Sequence, residues 1–225
     1  MSAARGPVAH TVALARWAWR WERGVWVSLY RWLRRSDPSA HPEAERFTYV
    51  KAIEVILWGF IVVSAIEVPA AHLLIPWEPV RTIVLVLGIW GLLWMVGLLA
   101  AYTVHSHLVE PGGLRLRNGF AVDVTIPWEH IAGVATRERS RDGSRTVQLD
   151  EGKGENEGAA VLHLVVGSRT NVDLRLHRPV SLDLPQGPTL VGEVRLLADE
   201  PKALAVRIRE RTSGATAHTG PDVQR

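Results

Sequence analysis

Ionisable side chains inside apolar runs are the first candidates for chemistry in this chain. Glu67 and His72 lie in the run from Ala52 to Leu74, whereas the next run, Thr82 to Val104, carries no charge. A carboxylate within a membrane span can serve a proton relay or an ion path. One hairpin cannot enclose such a path unless several copies associate, and Glu67 would lie near the end of its span. We therefore favour pairing of Glu67 with Arg81, or its protonation, over a transport role.

Histidines and glycines elsewhere give weaker signals. His105 and His107 would share one face of an extended segment, but the sequence places no third ligand for a metal beside them. The glycine-rich stretch 152–158 carries acidic residues that would repel phosphate. The chain has no cysteine, and it has neither a nucleophile-elbow serine nor a metalloprotease helix motif. We therefore predict a protein that is not an enzyme, with no metal and no cofactor.

The two apolar runs have the length of a membrane hairpin, which we place at residues 47–104. A helix needs about 20 predominantly apolar residues to cross a bilayer core. The residues before the first run are rich in arginine and lysine, whereas the short connection between the runs offers only Arg81. By the positive-inside rule we expect both termini in the cytoplasm.

The N-terminal extension, residues 1–46, combines arginine with tryptophan. A helix from Thr11 to Arg35 would carry apolar side chains on one face and basic ones on the other. That pattern is typical of a helix lying in the membrane surface, with packing on the soluble domain or on a partner subunit as the alternative. A linker would follow at Ser36 to Pro42. The residues predicted to bind anionic lipid of the inner leaflet are Arg16, Arg20, Arg23, Arg31, Arg34, Trp17, Trp21 and Trp32.

Beyond His107 the hydrophobic residues alternate, which predicts half-buried strands over residues 105–212. Short strands at close spacing followed by one helix favour a bent sheet or partial barrel that the helix closes, so the fold class is α+β. Asp199 would cap that helix, with Pro201 in its first turn. We expect a mobile loop at Arg137 to Gly158 and a disordered tail at 213–225. The predicted strands include Leu114–Arg117, Val122–Ile126, Leu162–Val166, Val172–Leu176, Val180–Leu184 and Val191–Ala198.

Inside this domain, a strand and a glycine turn (Leu114–Gly119) precede an Ile-Pro-Trp segment (Ile126–Val134), and Val194–Leu204 would form a last strand and the start of a helix. This order resembles bacterial pleckstrin-homology-like (PH-like) domains. A membrane hairpin before such a domain is similar to a group of small bacterial membrane proteins of undefined role. The resemblance covers residues 52–211 and implies a fold more than a function, with no shared catalytic set. We therefore expect a multi-pass protein of a bacterial inner membrane.

Three functions follow from these features. The leading one is a non-catalytic, membrane-anchored protein whose cytoplasmic PH-like domain binds a protein partner or scaffolds a membrane complex. The alternatives are binding of an anionic lipid headgroup, and a component of small-ion or proton-linked transport that uses Glu67 and His72. We do not expect nucleic-acid binding, and association into a homo-oligomer stays open. The candidates for contact with a partner or headgroup are Arg115, Arg117, Arg137 and Arg139, joined by Arg141 and Arg145, unless these form only a solvated face.

Overall fold

A computed structural model describes residues 7–36, 41–143, 145–152 and 157–218, with backbone alone at 7–15, 17 and 215–218. Residues 37–40 of the expected linker (36–42), 153–156 of the glycine-rich stretch (152–158) and 219–225 of the expected tail (213–225) lie outside the described residues. The helices are α1 (Pro7–Leu33), α2 (Lys51–Leu74), α3 (Glu78–Val104) and α4 (Pro201–His218). The strands are β1 (Glu45–Phe47), β2 (His107–Glu110), β3 (Gly113–Asn118), β4 (Val122–Pro127), β5 (Ile131–Ser140), β6 (Val147–Glu151), β7 (Ala160–Leu164), β8 (Arg169–Leu184) and β9 (Gly187–Leu196).

The chain divides into two compact units. A helical unit contains Met1–Asp37 with Ile56–Val104, and a β unit contains Pro38–Val55 with His105–Arg225. The predicted boundary at residue 46 therefore differs from the structure, because β1 and the residues up to Val55 belong with the strands. The reason is a pairing that local sequence does not reveal: β1 lies antiparallel to β2, which follows the hairpin.

The two apolar helices of the hairpin form where the sequence predicted them. Both helices are predominantly apolar, and only three residues, Ile75–Trp77, connect them. Few of their side chains are covered by the rest of the chain, and large apolar ones such as Trp58, Phe60 and Ile66 are exposed. By length and composition both helices can cross a membrane.

Helix α1 is amphipathic as predicted, but part of its apolar face lies on α3. Val25 of α1 is fully buried, and a Cβ added at Gly97 of α3 would lie 2.5 Å from its Cγ1 atom. The Glu22 carboxylate accepts hydrogen bonds from the indoles of Trp94, at 3.1 Å, and Trp26, at 2.7 Å. Three residues along α1, from Glu22 to Val25, correspond to three residues along α3, from Trp94 to Gly97. The two helices therefore run in the same direction there.

The β unit consists of two sheets around one core. The first sheet is antiparallel, with the order β1-β2-β3-β4, and the second has the order β5-β8-β9-β7-β6, with β7 and β9 parallel. Apolar residues of alternate positions point into the core, where α4 adds Leu204 and Ile208. Trp128 is also buried there, and its indole donates to the carbonyls of Glu110 and Pro111 at 3.0 and 3.1 Å. This agrees with the predicted bent sheet closed by a terminal helix.

Three details of the β unit differ from the sequence prediction. The expected mobile loop at Arg137–Gly158 instead contains the end of β5 and all of β6. The two strands expected at 172–184 are one strand, β8, interrupted by an irregularity between Arg175 and Val180. The tail expected to be disordered from 213 continues α4 to His218. Strand pairing explains the first difference, because β6 pairs with β7 along its whole length although its own residue pattern is largely polar.

Asp199 caps a different helix from the one predicted. Its carboxylate accepts hydrogen bonds from the backbone N–H of Lys51, at 3.1 Å, and from the Thr48 hydroxyl, at 2.6 Å. Lys51 is the first residue of α2, so Asp199 satisfies an N–H group at the start of that helix rather than of α4. Tyr49 lies between Thr48 and Lys51 in the sequence and is fully buried. Its hydroxyl oxygen accepts a hydrogen bond from the Gly119 N–H at 2.9 Å.

Candidate partner-binding surface

The second sheet of the β unit has an apolar inner face and a charged outer face. Leu174 of β8 and Val194 of β9 lie in the core, so the neighbouring residues Asp173 and Arg195 point to the other side. The strand register aligns Asp173 with Arg195 and Arg195 with His163 of β7. One row of ionisable side chains therefore crosses three adjacent strands.

Two ion-paired clusters occupy this outer face. In the first, Arg139 donates to Asp173 at 2.8 Å, and the Arg195 Nε lies 2.6 Å from Glu193 and 3.8 Å from Asp173. Asp173 thus lies between two guanidinium groups and is itself 8% exposed. This cluster joins β5, β8 and β9 into one charged surface with both signs.

The second cluster combines Arg141, which directly follows β5, with Asp150 of β6 and His163 of β7. Arg141 donates to Asp150 at 2.8 Å, and His163 Nε2 lies 3.2 Å from the other Asp150 oxygen. The hydrogen bond from Arg141 holds the pKa of Asp150 below its usual value. Burial first, and then the Arg141 guanidinium, lower the pKa of the fully buried His163. His163 is therefore neutral at neutral pH, and Asp150 keeps its charge for Arg141.

We call this charged outer face the five-strand face, formed by Arg139, Arg141, Asp150, His163, Asp173, Arg175, Glu193 and Arg195. Most of its cations have an acidic partner within the face. Arg175 is exposed and makes no ion pair with a residue that the structure describes. The face therefore presents alternating charge with little surplus of either sign.

The predicted candidate arginines do not form one patch. Arg115 and Arg117 lie on the first sheet, where Arg115 makes a bidentate pair with Asp123 at 2.6 and 2.7 Å. Arg117 is 1% exposed, so it belongs to the interior of the unit. Arg139 lies on the second sheet within the five-strand face, and Arg137 is exposed near it on β5. Of the four candidates Arg115, Arg117, Arg137 and Arg139, the structure thus brings together only Arg137 and Arg139.

The acidic half of the five-strand face was missed from the sequence. Asp173, Glu193 and Asp150 alternate with core residues on their strands, as do Arg195 and His163. That alternation correctly predicted which apolar residues point into the core. The charged residues between them must then point to the outer face of the sheet. Which carboxylate meets which arginine depends on strand order and register, which the period does not supply.

The predicted intramembrane and lipid-binding residues all lie in the helical unit. Glu67 is exposed and makes no ion pair with any described residue, so the expected Glu67–Arg81 pair does not form. His72 is half-buried. Arg16, Arg20, Arg23 and Arg34 are exposed on α1 or just beyond it, with Arg31 half-buried. Trp21 is half-buried and Trp32 is 38% exposed, whereas the side chain of Trp17 lies outside the described residues.

His107, considered above as a metal ligand, uses both ring nitrogens for the fold. Its Nε2 lies 3.0 Å from the Leu197 carbonyl, and its Nδ1 accepts from the Arg117 N–H at 3.2 Å. Complete burial, and to a smaller extent the Arg117 charge, lower the pKa of His107 to about 4, although the hydrogen bond to the Leu197 carbonyl opposes this shift. The neutral ring, with its proton on Nε2, therefore joins β2, β3 and the end of β9 from inside.

Comparison with known proteins identifies the β unit. A search of curated proteins found no match, and a search of solved structures found none either. Residues 108–213 match the family model of the bacterial PH domain, a class of domain that generally serves in binding and scaffolding rather than catalysis. The matched range begins within β2, after α2 and α3, and ends within α4. The resemblance noted in the sequence is thus confirmed, and this chain carries a bacterial PH domain preceded by two helices long and apolar enough to cross a membrane.

Proposed function

We propose that this protein is anchored in a bacterial inner membrane by α2 and α3 and binds a protein partner through the five-strand face of its cytoplasmic PH domain. The bacterial PH domain and the two apolar helices support the general plan. The basic residues before and at the start of α2, Arg34, Arg35, Arg46 and Lys51, support a cytoplasmic PH domain by the positive-inside rule. The role of the protein is then to hold a partner at the membrane without chemical turnover.

One observation favours a protein partner over a lipid headgroup: the arginines of the face are already paired with carboxylates. Arg139 with Asp173 and Arg141 with Asp150 form hydrogen-bonded pairs of 2.8 Å each. A phosphate headgroup needs unpaired cationic donors, and here it would meet Asp173, Glu193 and Asp150. A surface of alternating charge instead suits a partner with its own alternating charges, because such patterns give specificity and register.

A photo-crosslinking experiment tests this proposal on the full chain in its native membrane. The crosslinking residue p-benzoylphenylalanine replaces Arg175, which is exposed on the five-strand face, or Lys202, which is exposed on α4 as a matched control. We expect a protein adduct from position 175 and a much weaker one from 202. Adding Asp173→Arg to the position 175 variant should abolish the adduct, because the row of alternating charges is broken.

The mass of the adduct decides between the alternatives. An adduct of lipid mass at position 175 would establish headgroup binding and contradict the protein partner. Equal protein adducts at both positions, or an adduct that persists with Asp173→Arg, would also contradict it. Loss of the protein from the carbonate-washed membrane fraction would separately contradict the anchoring.

A further inference from the structure

The helical unit leaves opposite charges uncovered on two of its helices. Arg16 and Arg20 of α1 and Glu67 of α2 are all exposed, and none makes an ion pair with a residue that the structure describes. All three belong to the same compact unit as α3. If α2 and α3 lie in a bilayer, as proposed above, these groups face a medium that strongly disfavours an isolated charge.

The arginines point away from α3. Glu22 and Val25 mark the side of α1 that contacts α3, through Trp94 and Gly97. A helix turns by about 100° per residue, so Arg20 lies roughly 160° around α1 from Glu22. This basic side of α1, with Arg16 and Arg20, therefore has no cover from the hairpin of its own chain.

Glu67 lies on a different side of the unit. Its neighbour Val68 packs on Gly88 of α3, where an added Cβ would be 2.6 Å from Val68 Cγ2. Gly88 and Trp94 are six residues apart on α3, which separates their directions by roughly 120°. Helices α1 and α2 thus contact different faces of α3. The Arg16–Arg20 side and the Glu67 side form two distinct surfaces.

The opposite charges nevertheless lie at one level along α3. Glu22 contacts Trp94 and Val25 contacts Gly97, so the same spacing places Arg16 level with Gly88 and Arg20 about one turn further along. Glu67 is adjacent to Val68, which contacts Gly88 itself. Glu67 and Arg16 are therefore within about 2 Å of the same height, since a helix rises roughly 1.5 Å per residue.

We infer that a second copy of this chain covers these surfaces, with Glu67 of one copy pairing with Arg16 and Arg20 of its neighbour. The two surfaces have opposite charge and equal height, so copies that share one membrane orientation bring them together without vertical displacement. Each copy still has the complementary surface free on its other side. The contact joins two different surfaces and is therefore head-to-tail, a geometry that can close into a ring.

A charge exchange tests the inference in the full chain reconstituted in lipid nanodiscs or mild detergent. We expect wild-type protein to form an oligomer of defined mass, measured by light scattering, and Glu67→Arg to convert it to monomer. Arg16→Glu combined with Arg20→Glu should do the same. The triple combination of Glu67→Arg with both arginine changes should restore the oligomer. Glu78→Arg, an exposed charge change ten residues before Gly88, is the matched control and should leave the oligomer intact.

Cysteine crosslinking provides a second measurement that needs no charged substitution. The chain has no cysteine, so a cell can co-express one tagged copy with Trp19→Cys and another with Val63→Cys. Both side chains are exposed, and they lie about one turn or less from Arg20 and Glu67. After the isolated membranes are treated with an added oxidant, copper phenanthroline with oxygen, we expect a disulfide between the two copies in the wild-type charge background, and its loss when the Val63→Cys copy also carries Glu67→Arg.

The contrary outcomes are distinct. A monomeric wild-type chain, or an oligomer indifferent to Glu67→Arg, would overturn the inference, as would absence of the crosslink. Bound anionic lipid on a monomer, removed by the Arg16 and Arg20 changes, would assign the arginines to lipid instead. Because every variant is first checked for retention in carbonate-washed membranes, failure of the membrane anchor is seen separately from failure of this contact.

Discussion

The two units of this chain treat charged side chains in opposite ways. In the β unit, Arg139 and Asp173, or Arg115 and Asp123, form pairs between neighbouring strands. In the helical unit, Arg16, Arg20 and Glu67 make no ion pair with described residues. Exposed pairs in water contribute little, whereas one arginine facing the centre of a bilayer costs roughly 2.5–3.5 kcal/mol or more. The charges that matter most for stability are thus the ones that the helical unit leaves open.

The β unit thus pairs most charges of its sheet faces within one chain, whereas Arg16, Arg20 and Glu67 of the helical unit have no ion-pair partner among the described residues. The β unit includes residues 41–55, which comprise the segment before α2 and the first residues of that helix and supply β1, Tyr49 and the contacts of Asp199.

Tyr49→Ala should break the β unit most severely. The ring is fully buried, lies 4.9 Å from the His107 ring, and its hydroxyl accepts from Gly119. Loss of a large buried aromatic side chain costs about 3–5 kcal/mol. We expect a large fall in the free energy of unfolding of the β unit, measured by pulse proteolysis of the full chain in detergent. Tyr49→Phe keeps the ring and removes one hydrogen bond, so it should cost only about 1 kcal/mol.

An unchanged proteolysis midpoint for Tyr49→Ala would contradict the assignment of residues 41–55 to the β unit. It would mean that the segment before the hairpin only lies beside a domain that is already stable. The matched family range begins at residue 108, so that outcome would restore the boundary expected from the sequence.

Acid should destabilise the β unit through His107. Burial lowers the pKa of His107 to about 4 in the folded protein, against an ordinary value near 6.5. The unfolded chain therefore binds more protons between those pH values, and the contribution to stability is present above about pH 6.5 and lost as pH falls towards 4. The loss amounts to about 3 kcal/mol, since one pKa unit corresponds to roughly 1.4 kcal/mol.

The measurement compares unfolding free energies of wild type and His107→Gln at pH 7 and pH 4.5. Glutamine keeps a donor and an acceptor but does not titrate, so the variant should be less stable at pH 7 and clearly less sensitive to acid. His163 and Asp150 remain in both proteins, and their lowered pKa values contribute the same acid sensitivity to each. Equal acid sensitivity of the two proteins would exclude His107 as the source.

Gly97→Leu should separate α1 from α3 in the helical unit. An added Cβ meets Val25 Cγ1 at 2.5 Å and the Val25 carbonyl oxygen at 3.3 Å, so the helices cannot keep their spacing. Overpacking of this kind typically costs about 1–3 kcal/mol. We expect trypsin to cleave faster after the arginines of α1. Gly91→Leu is the matched control, because nothing lies within 4 Å of its added Cβ, and its cleavage rate should match wild type.

The elements with a strong local period were predictable from the sequence. Length and hydropathy predicted α2 and α3, and alternation predicted the strands around Leu116, Leu174 and Val194. These features depend on residues close together in the chain, so the pattern of apolar and polar residues is enough to predict them.

The features that were missed depend on partners far apart in the chain. Strand β1 has three residues, too few for a period, and pairs with β2 some sixty residues later. Asp199 looked like the cap of the helix beside it, but its carboxylate reaches Lys51 and Thr48 instead. The five-strand face likewise needed the order of five strands before Asp173 could be placed against Arg139. No local composition carries that information.

The smallest effect is expected for the ion pair of Arg139 and Asp173, and it measures how the β unit differs from the helical unit. The pair has good geometry at 2.8 Å, but the Arg139 side chain is 26% exposed and is screened by solvent. A double-mutant cycle with Arg139→Ala and Asp173→Ala should give a coupling energy of about 0.2–1 kcal/mol in unfolding. Asp173 also faces Arg195, so the same cycle is repeated in an Arg195→Ala background, where the coupling should rise because Asp173 has lost its second cation.

A coupling of several kcal/mol would instead make this pair a structural element of the domain, and variants that remove it could no longer report on binding alone. With a small coupling, variants of Arg139 and Asp173 leave the stability of the β unit nearly unchanged, so their effect in the crosslinking experiment reports on binding.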